Sequence, residues 1–262
     1  MLRILKAIHN VCEAHSLRYY ITCGTLLGAV RHKGFIPWDD DVDIAMPRPD
    51  YDLLMTHAHE WLPAPFEAVC YETDPDNYPL PFAKIQDSGT TLIERPHLRY
   101  LGGIYVDVFP LDGAPDGRLM QRLHCLRYSV LKKLLYFVHR DPYRHGHGPS
   151  CWLPLLCRRL YTMQEVQEKI RRHQKKYAFD TSTYIVDHDE GLHAIMPRTW
   201  YGLPSPIGFE GAQVMGVSCP EKYLARMYGD FMTVPPISRQ HQHNFHLLDL
   251  TKGYRHYQSA LR

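Results

Sequence analysis

Apolar residues recur at helical spacing over residues 2–15, where Leu2, Leu5, Ile8 and Cys12 share one side; the pattern predicts a first amphipathic helix. Residues 17–23 are rich in aromatic and β-branched side chains, the composition of a buried strand. Gly24 then turns the chain into a short helix over 25–31, which Gly34 ends. A second strand is expected over 35–46 and a helix over 49–61. Residues 63–81 hold five prolines and read as a loop with short extended pieces. Residues 82–94 predict a β-hairpin or two strands around Ser88 and Gly89. Over 100–110 strict alternation places Ile104, Val106 and Val108 on one strand face and Tyr105, Asp107 and Phe109 on the other.

The second half changes period. Leu119, Leu123, Leu126, Val130, Leu134 and Phe137 fall three or four apart and predict a long helix, crowded elsewhere by Arg118, Arg122, Lys132, Lys133 and Arg140. Two more helices follow over 151–160 and 163–177. Short extended pieces return over 183–219, then a short helix over 220–228 and a histidine-rich tail.

Charge sharpens this division. The whole chain of 262 residues is nearly neutral, yet residues 118–176 hold 14 Lys and Arg against three Asp and Glu. Such a segment suits an anionic partner, and with Trp152, Leu153, Leu155, Leu156 and Tyr161 interleaved it suits a membrane surface as well as a solvated face. It lacks the aromatic-glycine patterns of RNA-binding modules, so no nucleic-acid partner is expected. Seven cysteines without a C-x-x-C pair read as reduced thiols of a cytoplasmic protein. No apolar run is long enough to span a membrane. His145 and His147, flanking Gly146, fit a surface loop better than a metal site.

The candidate chemistry sits in the stretch 24–44, GTLLGAVRHKGFIPWDDDVDI. Asp41 and Asp43 are two apart in an extended, β-branched context, which on a strand aims both carboxylates to one face. Two such groups repel unless a cation lies between them, and oxygen-only ligands suit Mg2+ or Mn2+. A solvated acidic turn is the competing reading. Asp107, in the middle of an apolar strand, needs a cation, a firm hydrogen-bond partner or a turn to cap. Gly24 and Thr25, at a strand-to-helix junction, offer unpaired backbone N–H groups suited to phosphate. Lys84 fits either a surface position or a phosphate contact. Together these parts match metal-assisted transfer at phosphorus.

The motifs GTLLGAVRHKGFIPWDDDVDIAMPR, FAKIQDSGTT, GIYVDVFPLDG, FEG, KYLARMYGDFMTVPP and the R-x3-H of Arg239 and His243 resemble those of the LicD family of phosphocholine and related phospho-alcohol transferases, to which fukutin-related proteins are distantly related. The resemblance implies an α/β (α+β) fold, a nucleotidyltransferase-like mixed β-sheet flanked by helices with a helical insertion in mid-chain. It implies a core over 1–115, a basic helical region over 116–180 that meets the acceptor or a membrane, and a region over 181–262 packing back on the core. It further implies a CDP-activated donor such as CDP-choline, a glycan acceptor that can be lipid-linked, and release of CMP. By position, Asp41, Asp43 and Asp107 become metal ligands and catalytic carboxylates, Gly24 and Thr25 the phosphate turn, and Asp39, Asp40, Arg31 and Lys84 supporting contacts. A quaternary ammonium would further call for aromatic faces, for which Trp38, Tyr105 and Phe109 are candidates. The rivals are a nucleotidyltransferase that attaches NMP to a small molecule or protein, and a non-catalytic glycan- or membrane-binding protein. The expected location is the cytoplasm or the inner membrane face.

Overall fold

Apolar alternation is strongest around Asp107, and this stretch becomes strand β6 (Tyr105–Ala114), buried at all its positions and central to a seven-stranded mixed sheet. The structure is a computed structural model and describes residues 1–94, 100–144, 146–240, 242 and 245–257. Beside β6 runs the parallel strand β2 (Asp43–Pro47), which in turn pairs with the two-residue β1 (Tyr20–Ile21). On its other edge β6 pairs antiparallel with β4 (Ala83–Asp87), and β4 with β3 (Phe66–Val69). Where β4 ends at Val108, β7 (Tyr184–Asp187) takes over the same edge from Leu111 to Ala114, followed by β8 (Met196–Pro197). The N-terminal end of β4 therefore abuts the C-terminal end of β7.

One sheet face carries Ile44, Ile85, Val106 and Val108, all fully buried. Helices α1 (Leu2–Ala14) and α3 (Arg48–Trp61) cover it, contributing Ile4, Leu5, Ile8, Tyr51 and Leu54 to the same core. The other face carries Asp43, Lys84 and Asp107. Arg48, at the start of α3, is clamped on Asp112 of β6 by two bonds, Nε to Oδ1 at 2.8 Å and Nη2 to Oδ2 at 2.6 Å. This bidentate pair is almost fully buried and ties the helix to the far end of the central strand.

Several predicted boundaries move. The strand expected over 17–23 is only β1, because the Cys23 N–H is taken by the Tyr223 hydroxyl at 3.2 Å and helix α2 (Cys23–Arg31) starts there. The strand expected over 35–46 begins only at Asp43; Pro37 and Trp38 lie in a turn, so Asp41 precedes the ladder. Residues 82–94 form two strands rather than a hairpin: β5 (Thr91–Ile93) leaves β4 and pairs with β11 (Leu247–Asp249). The turn after α2 is closed from far away. In the hairpin β9 (Ser205–Phe209) to β10 (Ala212–Gly216), Glu210 accepts from the Phe35 N–H at 3.0 Å and donates its own N–H to Lys33 O at 3.1 Å.

The basic middle folds into α4 (Arg118–His139), α5 (Trp152–Leu160) and α6 (Met163–Gln174), whose contact is a small core of Tyr128, Leu135, Val138, Cys157, Val166 and Ile170. The inner face of α4 is not its leucine stripe. Tyr128 Oη and Lys132 Nζ reach Asp189 Oδ1 at 3.2 and 2.7 Å, and His124 is buried against His188, with 3.0 Å between their Nε2 atoms. These polar ties and Leu135 fix the rotation of the helix, leaving Leu119, Leu123, Leu126 and Val130 exposed. After β8 come α7 (Arg198–Tyr201) and, beyond the hairpin, α8 (Pro220–Tyr228), which packs on α2. Among the described residues no helix is long and apolar enough to cross a membrane.

Replacing Arg48 by Ala leaves the Asp112 carboxylate buried without its partner, so stability to urea should fall by about 3–5 kcal/mol.

Candidate active site

Strand register assembles the site. Asp43 of β2 and Lys84 of β4 are both opposite Asp107 of β6, so three chemically active side chains meet on one face of adjacent strands. Lys84 Nζ lies 3.0 Å from Asp107 Oδ1 and 3.0 Å from the centre of the Tyr105 ring. The ion pair is close but lacks hydrogen-bond alignment: Asp107 Oδ1 is buried without a hydrogen-bond partner. Thr25 supports the arrangement from behind, its hydroxyl oxygen accepting from the Asp43 N–H at 2.8 Å.

These residues line a cavity of about 330 Å3. One wall carries Asp41, Asp43, Lys84 and Asp107, and the aromatic rings Phe82, Tyr100, Tyr105 and Phe109 also face into it. Lys132 of α4 and Asp189 and Glu190 from the turn after β7 also line it. Glu94 accepts from the Tyr105 hydroxyl at 2.5 Å and completes the lining. Six carboxyl groups thus share the cavity with two ammonium groups.

That imbalance appears in the proton affinities. Enclosure, then the nearby Asp41, Asp107 and Asp39, hold the Asp43 carboxyl well above the usual carboxylate range. Burial pushes Asp107 up to about 6, although Lys84 pulls the other way. A diphosphate entering such a site meets net negative charge, and a hard cation would remove both repulsions. The donor set fits one: Asp41, Asp43 and Asp107 all offer carboxylate oxygens, and Mg2+ needs only one or two of them beside water and phosphate. Among the described residues, no three His, Cys, Asp or Glu side chains converge as a ready-made cage.

The other expected residues take different places. Gly24 and Thr25 do not line the cavity; a Cβ on Gly24 would collide with Asp39 Oδ2, so this helix start faces a carboxylate. Arg31 holds the C-terminal segment, donating from Nη1 to Phe231 O at 2.9 Å, and stacks 6.0 Å from Trp38. Trp38 sits there with His32, so of the aromatic candidates Tyr105 and Phe109 line the cavity and Trp38 does not. Asp40 lines a smaller neighbouring pocket with Asp41, Glu94 and Phe245. Arg239 is exposed on a short turn, and His243 and His145 lie outside the described residues. Sequence patterning does not mark Phe82, Glu94, Tyr100, Asp189 or Glu190 as site residues, and it places Lys132 only on the basic side of a helix. The run Asp187-His188-Asp189-Glu190 after an apolar strand repeats the pattern of 39–43 and could have flagged two of them.

Lys84→Gln removes the charge that opposes burial at Asp107. In chelator-treated protein, the Asp107 carboxyl resonance should titrate near pH 6 in the parent and at higher pH in the variant. An unmoved midpoint would show that the pair does not set this affinity.

Residues 16–111 match the family model described as LicD/FKTN/FKRP, nucleotidyltransferase domain. The lipopolysaccharide cholinephosphotransferase LicD of Haemophilus influenzae is 30% identical over 260 residues, covering 93% of this chain and 92% of that protein. An uncharacterised protein of Rickettsia prowazekii is 41% identical over 69 residues, 26% of this chain and 24% of its own length. The human ribitol 5-phosphate transferase FKRP is 53% identical over 41 residues, which cover 16% of this chain and 8% of that protein. With a relative at this identity matched nearly end to end, and the mixed sheet and helices of the nucleotidyltransferase-like fold, the chain belongs to the LicD family.

Proposed function

We propose that the chain transfers phosphocholine, or a related phospho-alcohol, from a CDP-activated donor to a sugar hydroxyl of a cell-surface glycan, releasing CMP in the cytoplasm with Mg2+ or Mn2+ bound. The observation that carries this reading is the register pairing of Asp43 and Asp107 in a cavity that also holds Lys84 and an aromatic wall. The named relatives act with phosphocholine and ribitol 5-phosphate, and this favours phospho-alcohol transfer over attachment of NMP.

The acceptor hydroxyl oxygen forms a bond to the phosphorus that bears the alcohol, in line with the breaking bond to the bridging oxygen, which departs with CMP. Asp107 takes the hydroxyl proton. Its carboxylate faces the cavity, within reach of a hydroxyl bound there. Asp41, Asp43 and Asp107 would hold the cation, which when bound neutralises phosphate charge and polarises the phosphorus. Lys84, held between Asp107 and the Tyr105 ring, keeps the base in place and adds positive charge beside the phosphates. Phe109, Phe82 and Tyr100 offer faces for a quaternary ammonium, and Lys132 and Asp189 border the acceptor side.

Incubation with CDP-choline, CDP-ribitol and metal, plus a glycan acceptor, should release CMP; pyrophosphate from a nucleoside triphosphate would mark a nucleotidyltransferase instead. Asp43→Asn should lower turnover at least about a thousandfold. It should leave the circular dichroism unchanged and the melting temperature equal or higher, because like-charge repulsion is relieved. Retained turnover would remove Asp43 from the chemistry. Phe109→Ala should raise KM for CDP-choline by about 3- to 30-fold, more than for CDP-ribitol. Trp38→Ala should not discriminate between the two donors.

A further inference from the structure

Eleven of the 21 large apolar side chains that stand exposed among the described residues fall between Leu119 and Leu160. On α4 they form one stripe: Leu119, Leu123, Leu126 and Val130, at i, i+4, i+7 and i+11, lie on the side opposite the buried Tyr128 and Leu135. Leu119 is 69% exposed and Leu126 60%. The neighbouring α5 repeats the feature with Trp152, Leu156 and Leu160, Trp152 being 67% exposed. This is the reverse of a helix solvated on its outer face.

Charge surrounds the stripe. Residues 118–160 hold nine Lys and Arg and one acidic residue, Asp141. Arg122 and Lys133 flank Leu126 on the outer side of α4, and among the described residues neither forms an ion pair with a carboxylate. At the N-terminal end of α4, Arg118 and Arg122 join Arg226 and Trp200 around an open cavity of about 600 Å3.

We propose that the outer faces of α4 and α5 are a docking surface for an anionic phospholipid bilayer, with the leucines and Trp152 entering the interface and the arginines and lysines meeting headgroup phosphates. Apolar side chains ringed by basic ones are the pattern of helices that lie in a membrane interface. No described helix can cross the bilayer, so the contact is peripheral. A second copy of the chain fits less well, because a two-fold contact would set this basic face against itself. The surface stands on α4 and α5 and makes no use of the carboxylate cavity, so it holds or fails independently of the reaction. On α4 it is the face opposite the one from which Lys132 reaches that cavity.

The test is cosedimentation of the full chain with vesicles, without donor or metal. Binding to phosphatidylglycerol-containing vesicles is expected, with little to phosphatidylcholine alone, and it should weaken as salt is raised. Leu123→Glu with Leu126→Glu should cut partition at least about tenfold. Arg122→Gln with Lys133→Gln, which keeps the stripe and guards against misfolding of the first variant, should cut it about thirtyfold. Absent binding, binding indifferent to salt and to both pairs, or a dimer in sedimentation velocity that Leu126→Glu dissociates would each overturn the proposal.

Discussion

The three-way pairing of β6 at Asp107 is the constraint on which the rest of this molecule depends. At that one position a parallel neighbour brings Asp43 and an antiparallel neighbour brings Lys84. A slip of one residue in either pairing would send the partner side chain into the apolar face, against Ile44, Ile85, Val106 and Val108. The hydrophobic side of the sheet therefore fixes the chemical side. Burying α1 and α3 on one face is what aligns carboxylate, carboxylate and ammonium on the other.

Holding these charges together is unfavourable, and the surrounding structure offsets it. Asp43 and Asp107 both resist ionisation because they are enclosed and face other carboxylates. Distant segments hold the loop that carries the acids. Thr25 fastens the Asp43 backbone, Glu210 fastens Phe35, and Arg31 fastens the chain at Phe231. The Arg48–Asp112 clamp does the same for the far end of β6. In the proposed reaction a bound cation and phosphate would relieve this crowding.

The basic middle meets this centre on α4. Lys132 and Tyr128 meet Asp189 beside the cavity, and that contact sets the rotation of the helix. With Lys132 directed inward, the leucines must face out. A polar requirement at the site thus determines which surface the annex shows to its surroundings.

Local periodicity alone marks the helices over 2–15 and 49–61, the long helix carrying Leu119 to Phe137, and the alternating strand around Asp107. Those features depend on the nearest few residues, where helical and strand periods act directly. The rest depends on contacts between distant segments. Strand partners 64 and 23 residues away along the chain put Asp43 and Lys84 opposite Asp107, and neither register can be read from one strand alone. Glu94, Lys132 and Asp189 reach the cavity from segments whose local patterns are ordinary. Thr25 spends its acceptor on Asp43, and Trp38 turns to Arg31, because those neighbours are delivered by the fold. The outward leucines of α4 follow the same logic: periodicity gave the stripe, and a buried hydrogen-bond network chose the side it faces.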